Sequence, residues 1–244
     1  MKSIHYHVGG TMPAKHPYYV TRPADAELLD SCRSGTFAYI LSPRQVGKSS
    51  LRVRTVDQLH QEGVLTAEVE LNAIGVQDVT YEQWYLGVIR KIIDDLALPE
   101  TLESWWRTLN WHGYAERLVK FFEQALKHHP AKHIVIFIDE IDNTLALSPG
   151  FADDFFAAIR YVHNEQRALN AALGRLSFVV IGVAQPQELI ADSRRTPFNN
   201  GRRINLGYFT HDEASIFTRG FNLVKEERTC VLERVLYWTM GTHF

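Results

Sequence analysis

Cysteine is scarce: the 244 residues hold only Cys32 and Cys230. Two free thiols match no zinc-ligand spacing and suit a reducing compartment, so a cytoplasmic location is expected. An excess of one charge is also missing. Lys and Arg number 26 against 28 Asp and Glu, a formal net charge of −2, so no global basic field advertises nucleic acid. No apolar run reaches the roughly 18 residues of a bilayer span. The opening MKSIHYHVGG lacks the long apolar core of a signal peptide. Low-complexity tracts and repeats are absent too. What remains is an ordinary globular composition, 45% hydrophobic and 22% charged, at a length that suits one large domain or one domain and part of a second.

Apolar runs then place the elements. TFAYIL (36–41), TAEVELNAI (66–74), HIVIFID (133–139), LSFVVIGVA (176–184) and RRINLGYF (202–209) read as strands. The third is almost continuously apolar and β-branched, as a parallel strand buried on both faces should be. Helical spacing covers 48–61, with Leu51, Thr55, Val56 and Leu59 on one face, and 81–96, with Trp84, Val88, Ile92 and Leu96 on one stripe. Further helices are expected over 114–127, 151–173 and about 226–240, and HDEASIFTRGF opens another with Asp212 as its candidate cap. The tryptophan-rich ESWWRTLNW (103–111) reads as a helical packing face. Alternating strands and helices predict an α/β three-layer sandwich around a five-stranded, mostly parallel sheet. The core should end near residue 209, with a short helical lid segment over 210–244.

Within that frame, LSPRQVGKSSL (41–51) reads as a P-loop, a phosphate-binding turn between strand and helix. Backbone N–H groups and a helix N-terminus there wrap phosphates. The candidate cradle is Ser42, Pro43, Arg44, Gln45, Val46, Gly47, Lys48, Ser49 and Ser50. Lys48 reaches the β- and γ-phosphates, and Ser49 offers a hydroxyl to magnesium. Ser42 stands where the usual pattern has its first glycine. It can do so only with ordinary backbone angles, which Pro43 favours by pushing the preceding residue into the extended region. IVIFIDEID places Asp139 and Glu140 at the end of the central strand. Asp139 is the candidate magnesium carboxylate, and Glu140 the residue that polarises an attacking water. Asp142 reads as a cap for the segment that follows.

These motifs resemble the AAA-like domain family of bacterial signalling proteins, related to the STAND class of P-loop ATPases and more distantly to origin-recognition ATPases. The resemblance runs over nearly the whole chain. It includes GGTMP (9–13), YYVTRPADAEL (18–28), PRQVGKSSLRVRT (43–55), EQWYLGVI (82–89), IVIFIDEIDNTLAL (134–147), DDFFAAIR (153–160), GVAQPQELI (182–190), RTPFNNGRRINL (195–206) and WTMGTHF (238–244). It implies ATP and Mg2+ as ligands. Tyr19, Val20 and Arg22 would border the adenine, although Tyr18 and Tyr19 could equally cover the sheet edge. Gln185 would sense the γ-phosphate. Among Arg194, Arg195, Arg202 and Arg203, the resemblance favours Arg195 as a finger presented to a neighbour's nucleotide in a homo-oligomer. The family's glycine-x-proline-phenylalanine turn reads Gly241, Thr242, His243 and Phe244 here, with His243 in place of proline. Relatives continue into further helical portions and repeats, so a separate or missing C-terminal sensor or effector domain is expected.

The leading expectation is a slow Mg-dependent ATPase working as a molecular switch. A DNA-associated ATPase akin to initiators and loaders is the alternative, with nucleic acid disfavoured by the charge balance. A non-catalytic scaffold is the third.

Overall fold

The computed structural model describes residues 9–75, 78–147, 150–164, 171–190, 196–239 and 241. The first helix, α1 (Pro23–Arg33), was not apparent from the hydrophobic spacing. It starts on a proline, and the Asp25 carboxylate reaches back to the Arg22 N–H at 2.8 Å. The chain then enters β1 (Ala38–Leu41), turns, and runs through α2 (Lys48–Gln61) and β2 (Leu65–Glu70). Next come α3 (Tyr81–Asp95), α4 (Thr101–Thr108), α5 (Tyr114–His128) and β3 (Ile134–Asp139). After β3 follow α6 (Phe151–Asn164), β4 (Leu176–Gly182), the one-turn α7 (Pro186–Leu189) and β5 (Arg202–Arg203). The last helices are α8 (His211–Ala214) and α9 (Lys225–Thr239).

All five strands pair in parallel, in the order β2-β3-β4-β1-β5. Their side chains alternate between two cores, as a period of two requires. Ile134, Ile136 and Ile138 of β3, with Phe178 and Val180 of β4, join Trp84, Phe121, Phe122, Phe155 and Phe156 on the face covered by α3, α5 and α6. Val135, Phe137, Val179 and Ile181 join Leu28, Leu51, Val56 and Leu59 on the face covered by α1 and α2. The result is the three-layer sandwich expected from the sequence.

Several boundaries differ from those expectations. The second strand stops at Glu70, because residues 71–73 wind into a 3-10 turn that buries Leu71. The fifth strand pairs only through Arg202 and Arg203, with one further bond from Ile204 N to Tyr39 O (2.9 Å). Its extended continuation buries Ile204 and Leu206 without a strand partner, so apolar content alone overstated it. α6 ends at Asn164 rather than 173, and 165–170 lie outside the described residues. Asp212 is not the cap of the helix after β5. Thr210 is, its hydroxyl accepting from Glu213 N at 3.2 Å, and a 3-10 turn takes over from Ser215. In the tryptophan-rich segment only Trp106 is fully buried, while Trp111 is exposed.

Burial gives the two cysteines opposite chemistry. Cys32 lies on the buried face of α1, where burial pushes its thiol up to about 12, while Cys230 lies exposed on α9. Thiolate is the reactive form. Iodoacetamide at pH 8 should therefore label Cys230 alone in the folded chain and both residues in denaturant, as peptide mass spectrometry can read.

Candidate functional site

Parallel pairing delivers the ends of β1, β3 and β4 to one edge of the sheet. Leu41 pairs with Gly182, and Ile138 with Val180, so the turn after β1, the acidic turn after β3 and the exit of β4 lie side by side. Ser42 N binds Gly182 O at 3.0 Å. Ser42 has no positive φ, which meets the condition under which a serine can replace the first glycine. Positive φ in this turn falls on Gln45 (61°) and on Gly47 (93°), where the absent side chain makes it cheap.

Gly47 is also the N-cap of α2. It has no side chain to satisfy the first-turn N–H groups, and the first turn holds no acidic residue. In contrast, the hydroxyl of Thr80 caps α3 and that of Thr210 caps α8. A bare N-terminus with the helix dipole behind it is suited to an anion. Lys48 folds over the same turn, and its Nζ donates to Ser42 O and Pro43 O at 2.8 Å each. Burial lowers its ammonium pKa, and the nearby Glu140, Asp139 and Asp142 carboxylates oppose that fall. Lys48 thus stands between the loop carbonyls and the acidic turn. These features fit a polyphosphate.

Asp139 is buried at the end of β3. Burial raises its carboxyl pKa, and the Arg52 guanidinium and the Glu140 N–H work the other way. Oδ1 accepts from Glu140 N at 2.9 Å, while Oδ2 lies 3.3 Å from Arg52 Nε in an ion-pair contact without hydrogen-bond alignment. Ser49 and Arg52 are three residues apart on α2 and so share a face. A serine hydroxyl and a carboxylate are hard oxygen donors of the kind magnesium takes. The donor set therefore fits the ion. Glu140 is exposed and sits in the left-handed region, φ 55° and ψ 44°, a conformation that costs about 1–2 kcal/mol for a residue with a side chain.

Arg52 had no signal in the spacing. It is almost fully buried, donates to Glu68 and, at 3.0 Å, to Glu70, and contacts Asp139 as well. Glu70 and Asp139 are register partners on adjacent strands, so the guanidinium separates two carboxylates that would otherwise repel. The alternation of Glu68 and Glu70 in β2 was the available clue, but their counter-ion on α2 was not. A larger cleft of about 900 Å³ opens beyond Arg52, lined by Glu68, Glu70, Arg90 and Lys91 and by none of the loop residues.

The N-terminal segment packs against the other flank of the loop. Tyr19, Val20 and Arg22 line a cavity of about 140 Å³ with Gln45, Gly47, Ser50 and Phe209. Arg22 Nη1 donates to Val46 O (3.1 Å) and Gly207 O (3.3 Å), and its guanidinium lies 5.1 Å from the Phe209 ring centre. Met12 N donates to Ser50 Oγ at 3.0 Å. The Tyr19 hydroxyl donates to Asp25 Oδ1 at 2.7 Å, and burial followed by the Asp25 charge raises its pKa. Tyr18 lines the same cavity.

The other candidates scatter. Gln185 is exposed, with its N–H held by Glu188 Oε2. Pro43 and Arg44 are exposed on the turn. Asp142 is not a cap: its Oδ1 accepts from Val183 N (2.8 Å) and Ala184 N (2.6 Å) across the edge. Arg194, Arg195, Thr242, His243 and Phe244 lie outside the described residues, so the finger and the terminal turn are not located. Arg202 and Arg203 are exposed on β5.

Sheet order, loop and acidic turn together define a P-loop ATPase fold. The sequence profile of the AAA-like domain matches residues 7–238, and the chain belongs to that family. It is 40% identical over 247 residues to an uncharacterised WD repeat-containing protein of Synechocystis, spanning all of this chain and 20% of that relative. Among solved structures, it is similar to a Walker-type ATPase of Pyrococcus abyssi, with TM-score 0.61 and 14% identity over 91% of this chain and 65% of that one. The Aeropyrum pernix ORC2 protein, in ADPNP–ADP complexes, gives TM-score 0.54 and 12% identity over 91% and 53% of the two chains. AMPPCP-bound DnaA from Aquifex aeolicus gives 0.50 and 13% over 91% and 59%. At such identities the likeness concerns the fold. Among the described residues no helix is long and apolar enough to cross a membrane.

Replacing Arg52 with methionine would leave Asp139, Glu68 and Glu70 without their shared counter-ion. Asp139 is buried but Glu68 and Glu70 are partly exposed, so losing the shared partner costs about 1–3 kcal/mol. Urea denaturation of Arg52→Met should show a loss of that size, and a change under about 1 kcal/mol would mean water already screens the cluster.

Proposed function

We propose that the chain binds ATP with magnesium at this edge and hydrolyses it slowly, as a nucleotide-dependent switch of the STAND type. The observation that carries the reading is the placement of the Lys48 loop, at the bare N-terminus of α2, and of the Asp139–Glu140 turn at one edge of the sheet, on either side of the exit of β4. Residues 42–50 would cradle the phosphates, with Lys48 neutralising the β- and γ-phosphate charge. Ser49 and Asp139 would hold the magnesium ion, which supplies charge neutralisation to the phosphates when bound. Glu140, exposed at the mouth of the site, would orient and polarise the attacking water. The cavity lined by Tyr19, Val20, Arg22 and Phe209 would receive the base. Gln185 would face the γ-phosphate.

The segment from residue 210 onward would act as a lid, since Phe209 and Phe217 border the base cavity and Phe209 N bonds Gly241 O at 2.9 Å. Nucleotide would then alter how this segment packs. Assembly through the nucleotide site, with Arg195 as a finger in trans, rests on the sequence resemblance. The WD repeat-containing relative is about five times as long as this chain (20% covered), which supports a separate effector portion as the target of the switch. A cytoplasmic setting is part of the same reading.

Two variants separate binding from chemistry. Lys48→Ala removes the ammonium that the loop holds, and labelled-ATP titration should show affinity falling by about tenfold or more. Wild-type affinity in that variant would remove the loop from consideration. Glu140→Gln keeps the shape and loses the charge. It should bind Mg–ATP normally while kcat falls by about 10²–10⁴; equal turnover would mean that another group positions the water.

A further inference from the structure

From the junction at the edge of the sheet we infer that Asp142 is a positioning residue: its carboxylate ties the exit of β4 to the acidic turn and so sets where Glu140 stands relative to the phosphate loop. The inference rests on the ATPase reading above and adds a residue to which neither that reading nor the family assignment gives a part.

The geometry is a three-way joint centred on Gly182. Its carbonyl accepts from Ser42 N at 3.0 Å, which fixes it to the start of the phosphate loop. The next two N–H groups, Val183 and Ala184, both donate to Asp142 Oδ1, at 2.8 and 2.6 Å. The third, Gln185 N, donates to Glu188 Oε2. Three successive donors are thus held by two carboxylates, and the exit segment has no slack. Charge-assisted bonds of this kind are about twice as strong as neutral ones.

Gly182 makes the approach possible. A Cβ there would lie 2.5 Å from Ile141 Cγ2 and 2.8 Å from Asp142 Oδ1. Glycine is required because the acidic turn presses directly on the strand. That turn is itself strained: Glu140 holds φ 55° and its carbonyl accepts from Asn143 N at 3.0 Å. A left-handed residue persists only where its surroundings over-determine it. Asp142, two residues on, supplies a bond across the edge that does so. Removing it would let the turn relax and move the Glu140 carboxylate, while Lys48 and the loop keep their own contacts. The expected signature is lost turnover with retained binding.

The test compares Asp142→Ala, Asp142→Asn and Gly182→Ala with the wild type. Mg–ATP turnover, affinity for a non-hydrolysable ATP analogue, and amide exchange at Val183 and Ala184 are measured for each. Asp142→Ala should lower kcat by about tenfold to a hundredfold, the scale of an ångström-sized misplacement, with affinity nearly unchanged and faster exchange at both amides. Asp142→Asn keeps an oxygen that accepts both bonds, so it should fold as the wild type does and retain most of the turnover. Gly182→Ala should reproduce the Asp142→Ala defect from the opposite side of the joint. Wild-type turnover in Asp142→Ala overturns the inference alone. So does an Asp142→Asn chain as poor as Asp142→Ala, because the charge near Lys48 and not the tie would then be responsible, and so does affinity that falls in step with kcat. A wild-type chain that binds no Mg–ATP overturns the reading of the site itself, and the inference with it.

Discussion

Because the five strands run parallel, their carboxyl ends share one edge of the sheet, and each connection must leave from there. Open parallel sheets bind ligands outside those ends. In this chain the order β2-β3-β4-β1-β5 sets β4 between the strand that leads to Lys48 and the strand that ends in Asp139. The loop and the acidic turn therefore face each other across the exit of β4. That exit is consequently the piece against which both are aligned, and its bonds to Ser42 and Asp142 bear directly on the geometry of the site.

Concentrating anionic side chains at one edge has an electrostatic cost. Glu68, Glu70 and Asp139 lie within reach of one guanidinium, Arg52, which is buried among them. Burial raises the pKa of the Asp139 carboxyl, and the Arg52 guanidinium opposes that rise. Two other buried arginines act in the same manner elsewhere. Arg22 joins the N-terminal segment to the loop through Val46 O, and Arg117 joins α5 to Glu82 of α3 beneath the Trp106 ring. The planar donor fork of arginine suits these multi-partner positions, and lysine would not reproduce them. Each has an Nε without a hydrogen-bond partner, so these ties hold distant segments in register at the expense of some satisfied bonding.

The structural neighbours include an ORC2 protein and a DnaA, and their identities of 12–13% speak for the fold alone. The chain's balance of 26 basic and 28 acidic residues supplies no general attraction to phosphate polymers. One fold commonly serves unrelated functions, so the argument for function stays with Lys48, Ser49, Asp139 and Glu140.

Those four residues were legible in the sequence because each is read from its immediate neighbours. A buried strand announces itself by continuous apolar residues, and the polar residues just after it must lie at the sheet edge. The same reasoning located the faces of α2 and α3 and the central strand β3, all set by local periodicity. It failed where tertiary contacts decide. A bent, 3-10 continuation ended β2 early, a lack of strand partners reduced β5 to two residues, and Thr210 rather than Asp212 took the cap. Arg52 and Asp142 were beyond it altogether, since their partners lie 16 to 87 residues away along the chain and 41 to 42 residues away respectively. By itself the sequence determined the α/β class, the loop and the acidic strand end, because local spacing and burial dictate them. Only the tertiary structure decided the strand order, the cavity beside Tyr19 and Arg22 and the joint at Gly182, because these depend on which distant segments meet.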